Sequence, residues 1–287
     1  MATVFIAGPV SWNLLIHTGA FPRPEPHTVF AQWHHETLGG TSAGKALNLR
    51  RLGAGVTVGT VLGDDEPGER IRSGLRAAGV EVIAGRSGNG SERHVNLMDA
   101  AGRRVSIYLT LPVPEASPSD TGVVGRQDAA LAAADAVVVD LAEHSRRFLG
   151  AARANGQAIW CDLHDYDGRS SFHTEFRDAA DFIFVSGERL GDPGGFLREQ
   201  IAAGKRLVVC TRGAGGAVAL AAGGEMVDVP AHHVPDVVDT NGAGDAFFAG
   251  FLAAHLEGRS LRDCMERATE VAAACVRSRD LAPAGGG

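Results

Sequence analysis

Leu207-Val-Val-Cys-Thr211, running into Arg212-Gly-Ala-Gly-Gly216, carries apolar side chains at successive positions and then stops at a cluster of glycines. A strand with one face in water alternates apolar and polar residues. This one does not, so both of its faces are covered. Residues 136–140, AVVVD, have the same character, and further strand-like runs lie at 3–7, 56–62, 158–162, 182–185 and 217–221. Helical patterns separate them. In residues 67–78, Ile71, Leu75 and Ala78 recur at helical spacing, Pro67 suits the first turn and Gly79 the stop. Further helices are expected at 145–154, 194–203, 244–257 and 260–279. This alternation predicts an α/β sandwich, a central and mostly parallel sheet with helices on both faces.

Two stretches depart from the pattern. Residues 14–38 are rich in Pro, His and aromatics and have no helical period. Residues 90–111 read as a hairpin, with Val105, Ile107 and Leu109 alternating with Arg104, Ser106 and Tyr108 and a turn at 99–102. Together they predict a small β lid, inserted at roughly 12–38 and 90–111 into a single domain spanning 1–287. Pro112, Pro114 and Pro118 mark 111–120 as a hinge or flexible loop, and 283–287 as a frayed tail is the matching expectation.

Composition narrows the function. Glycine supplies 38 of 287 residues, well above the usual level of about 7%, which points to tight turns and backbone-lined sites. A net charge of −7 without a basic run argues against nucleic acid or an anionic membrane as partner. No apolar stretch approaches the ~20 residues that span a bilayer, and MATVFIAGPV reads as a first strand and not as a signal peptide. Cys161, Cys210, Cys264 and Cys275 are isolated, as expected of buried thiols in a reducing cytoplasm.

Residues 238–247, VDTNGAGDAF, carry the strongest chemical signal. Gly242, Ala243 and Gly244 can bend sharply and open the helix marked by Phe247, Phe251 and Leu252. Unpaired backbone N–H groups converge there and the helix dipole adds to them, so the place favours a phosphoryl group. Asp245 would repel a phosphate. Beside an anion hole, a carboxylate makes sense as a base that takes a proton from an attacking hydroxyl. A lone Gly-x-Gly-Asp also suits an Asp that only caps a helix.

DTNGAGDAFFAGF resembles the C-terminal signature of the PfkB, or ribokinase-like, carbohydrate kinases, DTxGAGD. The resemblance extends over nearly the whole chain: an early strand ending in glycine, Gly39-Gly40 before a helix, GDD at 63–65, and the signature near 245. It implies a ribokinase-like fold, use of ATP and Mg²⁺, and phosphorylation of a primary hydroxyl on a small sugar or sugar-like acceptor. Asp245 is then the catalytic base, and the amides of Gly242, Ala243 and Gly244 form the hole for the transferred phosphoryl group, with Asn241 beside the nucleotide. Thr211, Gly213 and Gly216 match the family's ATP loop, at the strand edge where open α/β sheets bind ligands. Ser186 stands where the family has an Asn acting on metal or phosphate. Glu188 sits one position short of the family's Glu, either an outer-sphere Mg²⁺ residue or a solvated helix-start Glu. Relatives often pair their lids, so a homodimer through the lid is expected.

On the acceptor side, GGTSAGKA at 39–46 nearly matches the P-loop spacing, but Ala46 has no hydroxyl for Mg²⁺ and AQWHHETL before it is not a buried strand. By resemblance, Gly39 and Gly40 instead meet the acceptor. Gly44 replaces the family's Asn, and Lys45 either fills that space or is solvated. Asn13 replaces an Asp that accepts from two sugar hydroxyls, and an amide gives up the charge. Weak hydroxyl recognition at Asn13, room at Gly44 and a cation at Lys45 predict a bulkier or acidic acceptor, such as a nucleoside or sugar acid. A nucleoside kinase is the alternative within enzymes. A silent small-molecule sensor is the alternative outside them, against which the intact signature argues. DLHDYDG at 162–168 lacks the alternation of a calcium loop but could face substrate, and His34 or His35 could line the lid.

Overall fold

The computed structural model describes residues 1–100, 102–115 and 121–283. The chain begins with β1 (Thr3–Ala7), β2 (Ser11–His17), β3 (Trp33–Gly39) and α1 (Thr41–Arg51). Next come β4 (Gly55–Leu62), α2 (Glu66–Ala77), β5 (Glu81–Arg86), β6 (Glu92–Met98), β7 (Arg104–Thr110) and α3 (Thr121–Ala132). The alternation continues through β8 (Ala136–Val139), α4 (Arg146–Ala154), β9 (Ile159–Asp162), α5 (Thr174–Ala179), β10 (Phe182–Ser186) and α6 (Pro193–Ala202). It closes with β11 (Leu207–Thr211), β12 (Ala217–Ala221), β13 (Met226–Val229), α7 (Ala243–Leu256) and α8 (Leu261–Cys275).

Nine strands form one sheet in the order β13-β12-β11-β10-β9-β8-β1-β4-β5. All neighbours from β11 to β5 pair in parallel, while β11-β12 and β12-β13 are antiparallel. Successive residues along the central strands feed opposite layers. Ile6, Val138, Phe184 and Val209 pack with Leu49 of α1, Phe248 and Phe251 of α7 and Met265 of α8. Phe5, Val137, Ile183 and Val208 pack with Phe148 of α4, Phe176 of α5 and Leu197 of α6. Each such side chain contributes roughly 1.5–3 kcal/mol on burial. Inside these strands every position is therefore apolar, and polar residues appear only at strand ends, as at Thr3 where β1 begins and at the sheet's C-terminal edge.

A second sheet of four strands, β3-β2-β6-β7, is the small lid. Its β6–β7 turn forms at Asp99, where Gly102 N donates to the Asp99 carbonyl at 3.0 Å and Arg103 N to Asp99 Oδ1 at 2.9 Å. Residues 111–115 are not a free loop: Gly88 N donates to Val113 O at 3.0 Å and Glu115 N to Arg86 O at 2.9 Å. The rest of the expected hinge, and all but the first residue of the expected tail, lie outside the described residues.

The edge strands β5 and β13 escape a reading by apolar runs, because β13 alternates exposed and buried positions. The last helix stops at Cys275 and not at Arg279. Its carbonyl at Val276 accepts from the amides of Val238 at 2.8 Å and Asp239 at 3.3 Å, so the chain there turns to hold the segment leading into α7. Among the described residues, no helix is long and apolar enough to cross a membrane.

Candidate active site

Parallel strands end on one side of the sheet, and here those ends are polar: Asp140 after β8, Asp162 of β9, Ser186 of β10 and Thr211 of β11. Two helices start above this edge. The turn at Gly39-Gly40 feeds α1, and Gly242, with φ of 80°, feeds α7. A side chain at 242 would be both strained and blocked, since its Cβ would lie 2.8 Å from Leu281 Cδ2.

Lys45 of α1 lies at the centre, with 0% of its surface exposed. Its Nζ stands 2.7 Å from Asp140 Oδ1 and 3.4 Å from both Asp162 Oδ2 and Asp245 Oδ1. It also donates to Thr41 Oγ1 at 2.6 Å, and Thr41 in turn donates to Asp245 Oδ1 at 2.5 Å. Ser42 Oγ donates to Asp140 Oδ2 at 2.8 Å. Asp162 Oδ1 accepts from His164 N at 2.9 Å. Asp245 retains 15% side-chain exposure, and its Oδ2 takes no hydrogen bond among the described residues. Burial pushes the Asp245 carboxyl above the usual carboxylate range, and the Lys45 ammonium is the largest influence pulling it back. Burial pushes Asp162 the same way, but His164 and Lys45 outweigh it and hold that carboxyl low. The two neighbouring carboxyls are thus driven in opposite directions by their surroundings.

At the start of α7, the amides of Gly242 and Gly244 donate to no acceptor among the described residues, as expected of a first helical turn. The amide of Ala243 is partly spent on the Thr240 carbonyl at 3.3 Å. Asn241 N donates to Asp239 Oδ1 at 2.8 Å, and the Asn241 side chain accepts from Arg104 Nη1 of the lid at 2.8 Å. Thr240 Oγ1 donates to the Gly102 carbonyl at 3.2 Å, so the lid's hairpin tip rests on the loop before α7.

Gly44 does not provide the room expected of it. A Cβ there would lie 2.7 Å from Asp245 Oδ2 and 2.9 Å from Asp245 Cβ, so the space belongs to Asp245 itself. Lys45, equally, presents no cation to a ligand, because its charge is consumed by the three carboxylates. Gly216, with φ of 84°, is required by the fold, since a Cβ would sit 2.0 Å from the Val229 carbonyl oxygen. Gly213 is exposed with open space around it, and Thr211 Oγ1 reaches only the Val185 carbonyl, at 3.5 Å. Ser186 Oγ accepts from the Glu188 amide at 3.3 Å, and the Glu188 side chain faces solvent. A hollow of about 330 Å³ is lined by Gly63, Asp64, Asp65, Glu66, Glu69 and Arg72, none of which joins the Lys45 cluster. Asp65 there serves the fold, accepting from Gly68 N at 2.9 Å and Ser91 Oγ at 2.6 Å.

The lid's inner face is polar and buried. Register places Ser11, Asn13 and His17 of β2 beside Glu92, His94 and Met98 of β6 and beside Gly39, Thr37 and Trp33 of β3. Ser11 Oγ, Asn13 Oδ1, His17 Nε2, Asn96 Oδ1 and both ring nitrogens of His35 are buried and find no partner among the described residues. Gly39 carries no side chain because its Cβ would meet Asn13 Nδ2 at 2.0 Å. Burial holds the His17 and His35 imidazoles below their ordinary value despite Asp239 nearby, which leaves both rings neutral at pH 7. His34 points to solvent.

Residues 195–284 match the family model described as pfkB family carbohydrate kinase. The acarbose 7(IV)-phosphotransferase of Actinoplanes sp. is 31% identical over 270 residues, covering 91% of this chain and 88% of that protein. This chain belongs to the PfkB carbohydrate kinases. A microbiome-derived acarbose kinase of known structure superposes with a TM-score of 0.84 at 28% identity, covering 97% of this chain and 93% of that one. The cytidine kinase of Thermococcus kodakarensis is 27% identical over 260 residues, covering 81% of this chain and 87% of that protein.

As a PfkB kinase the chain is a phosphotransferase with an alcohol group as acceptor, it has the ribokinase-like fold, and membership implies use of ATP. Within that frame, Asp140, Thr41 and Ser42 are cluster members that the spacing of motifs alone did not single out. A usable signal was present, because Asp140 and Asp162 each terminate an otherwise apolar strand at the edge where ligands bind. Of the lid's inner residues, Asn13 and His35 are legible from the sequence, while Ser11, His17 and Asn96 give no such signal. Their alternation says which face they share, not that this face is covered.

Proposed function

We propose that the chain is an ATP-dependent kinase acting on a primary hydroxyl of a neutral, polyhydroxylated acceptor, with Asp245 as general base. The observation that carries this reading is the Asp245 carboxylate, anchored through Oδ1 by Thr41 and open at Oδ2, at the same helix start as the unspent amides of Gly242 and Gly244. Asp245 takes the acceptor's hydroxyl proton as that oxygen bonds to the γ-phosphorus and the bond to the bridging oxygen of ADP breaks. Gly242 and Gly244, with a lesser share from Ala243, donate to the phosphoryl oxygens as charge develops. Thr211, Gly213, Gly216, Ser186 and Asn241 line the nucleotide side of this edge.

Among the described residues, no three His, Cys, Asp or Glu side chains are placed to hold a metal ion. Were Mg²⁺ to enter with the nucleotide, Glu188, whose side chain faces solvent at this edge, would be the residue to reach it through water. When bound, Mg²⁺ screens the phosphate charge.

The lid's inner face supports the acceptor class. Each buried, unpartnered polar atom costs about 1–3 kcal/mol until something satisfies it, and a ring of hydroxyls can donate to and accept from all of them. Lys45 is spent on its own carboxylates and offers no charge to an acidic acceptor. Asn13 lacks the charge that would grip a plain pentose. In ADP-coupled assays of acarbose, ribose, fructose, 2-dehydro-3-deoxygluconate and cytidine, acarbose should give the highest kcat/KM, and Asn13→Ala should raise its KM about 2–10-fold. A tenfold advantage for the sugar acid or for cytidine overturns the acceptor assignment. No ADP with any of them favours a silent sensor.

We further propose that the chain works as one unit over 1–287, with the lid inserted at about 12–38 and 90–111, in the cytoplasm and as a homodimer. The four free, buried cysteines fit a reducing compartment. The lid's outer face supports pairing. Leu14, Val95 and Ile107 lie in register across β2, β6 and β7, as do Ile16, Leu97 and Val105, and β7 is an exposed edge strand. Light scattering at micromolar concentration should show twice 29.8 kDa, and a 29.8 kDa species contradicts pairing.

A further inference from the structure

Lys45 is a charged side chain buried completely, and burial of an ammonium is unfavourable without compensation. Its compensation comes from three separate elements: Asp140 after β8, Asp162 closing β9, and Asp245 in the first turn of α7. The other groups facing this cluster are His164, whose Nδ1 lies 3.5 Å from Asp162 Oδ2, the Phe248 ring, 4.9 Å from the ammonium, the buried thiol of Cys161 in β9, which burial keeps protonated, and Cys275 of α8. Burial pushes the Cys275 thiol up to about 12, so it stays neutral, and it donates to the Asn241 carbonyl at 3.5 Å. Among the described residues, Lys45 is therefore the one fully buried cation beside these three carboxylates.

Geometry ties Lys45 to Asp245 twice. One path is the direct approach of 3.4 Å to Oδ1. The other runs through Thr41, whose hydroxyl accepts from Lys45 Nζ at 2.6 Å and donates to the same Oδ1 at 2.5 Å. Thr41 and Lys45 sit one turn apart on α1, so a single helix carries both contacts. Gly44, between them, leaves the space that Asp245 Oδ2 occupies. One carboxylate oxygen is held and the other is left open.

We propose that Lys45 is the resident counter-ion of the base, a positioning residue that keeps Asp245 ionised and fixes its orientation directly and through the Thr41 hydroxyl. This rests on Asp245 being the base. Without the ammonium, burial and the negative charge of Asp162 act on Asp245 unopposed except by His164 and Thr41, and the carboxyl binds its proton more tightly. The sign follows: the acid limb of kcat/KM moves to higher pH.

The test is the pH dependence of kcat/KM for the wild type, Lys45→Met and Thr41→Val, with the KM for ATP and circular dichroism recorded for each. In Lys45→Met the acid limb should move up by about one unit or more, so that the rate at a fixed pH on the limb falls about tenfold. The KM for ATP should change little. Thr41→Val, which leaves the ammonium in place, should shift the limb in the same direction by less, and it carries the test if Lys45→Met does not fold. A residue that only fills space would lower stability in both variants and leave the limb where it was. That result overturns the proposal. Asp245→Asn is run beside them: normal turnover there removes the base itself, whereas loss there with an unmoved limb in the other variants removes only the role of Lys45.

Discussion

Asp245→Asn should lower kcat by about 10²–10⁴ with the best acceptor, while the KM for ATP stays level or falls. The amide has the shape of the carboxylate and can still accept from Thr41, so the helix start and the amides of Gly242 and Gly244 keep their places. Only the capacity to take a proton is lost. Removing a negative charge beside the phosphoryl site also removes a repulsion, which is why nucleotide binding should not suffer. Lys45 keeps Asp140 at 2.7 Å and Asp162 at 3.4 Å, so the ammonium is not left unpaired and the fold should survive. Steady-state kinetics with a thermal melt separate these effects. A kcat within a few-fold of wild type would show that the proton goes elsewhere.

The second large effect is expected where the family residue is restored. Gly44→Asn introduces the side chain that the resemblance to the family pattern implies for this position, and it should damage the enzyme. At an ordinary helix interior position, exchanging Gly for Ala gains about 0.5–1 kcal/mol. Here even the Cβ of Gly44→Ala would stand 2.7 Å from Asp245 Oδ2 and 2.9 Å from Asp245 Cβ. Part of that contact is with the stem of the aspartate, so the side chain cannot simply swing away. Overpacking of this kind costs about 1–3 kcal/mol of stability. Displacing a catalytic group by about 1 Å costs on the order of a hundredfold in rate. Both Gly44→Ala and Gly44→Asn should therefore lose about a hundredfold in kcat and melt earlier. A Gly44→Asn enzyme as active as the wild type would mean that Asp245 does not occupy this space during turnover.

Gly44 and Lys45 also show where reading by residue stops. The layered sheet was legible because strands such as 207–211 and 217–221 are written in side chains whose burial dominates the energy, and both strands form at those bounds. The helix start at Gly242 was legible for a similar reason, since few sequences tolerate its backbone angle. Lys45 could be read either as filling the vacant space or as solvated. What decides is the meeting of β8, β9 and α7, and no short-range pattern records a contact between residues 95 or 200 positions apart. The burial of the lid's inner face was hidden likewise. Asn13 and Asn96 become buried, unpartnered groups only because β2 pairs with β6, a parallel pairing across a long crossover.

The most direct measurement is a product count in one reaction: wild-type protein, ATP, Mg²⁺ and the best acceptor of the panel, with ADP and phosphorylated acceptor quantified together by chromatography and mass spectrometry. One ADP should appear for each acceptor that gains one phosphoryl group, and both products should fall together by about 10²–10⁴ in rate with Asp245→Asn. ADP formed without phosphorylated acceptor, or phosphorylated acceptor formed at an undiminished rate by Asp245→Asn, would contradict transfer to a hydroxyl activated by Asp245.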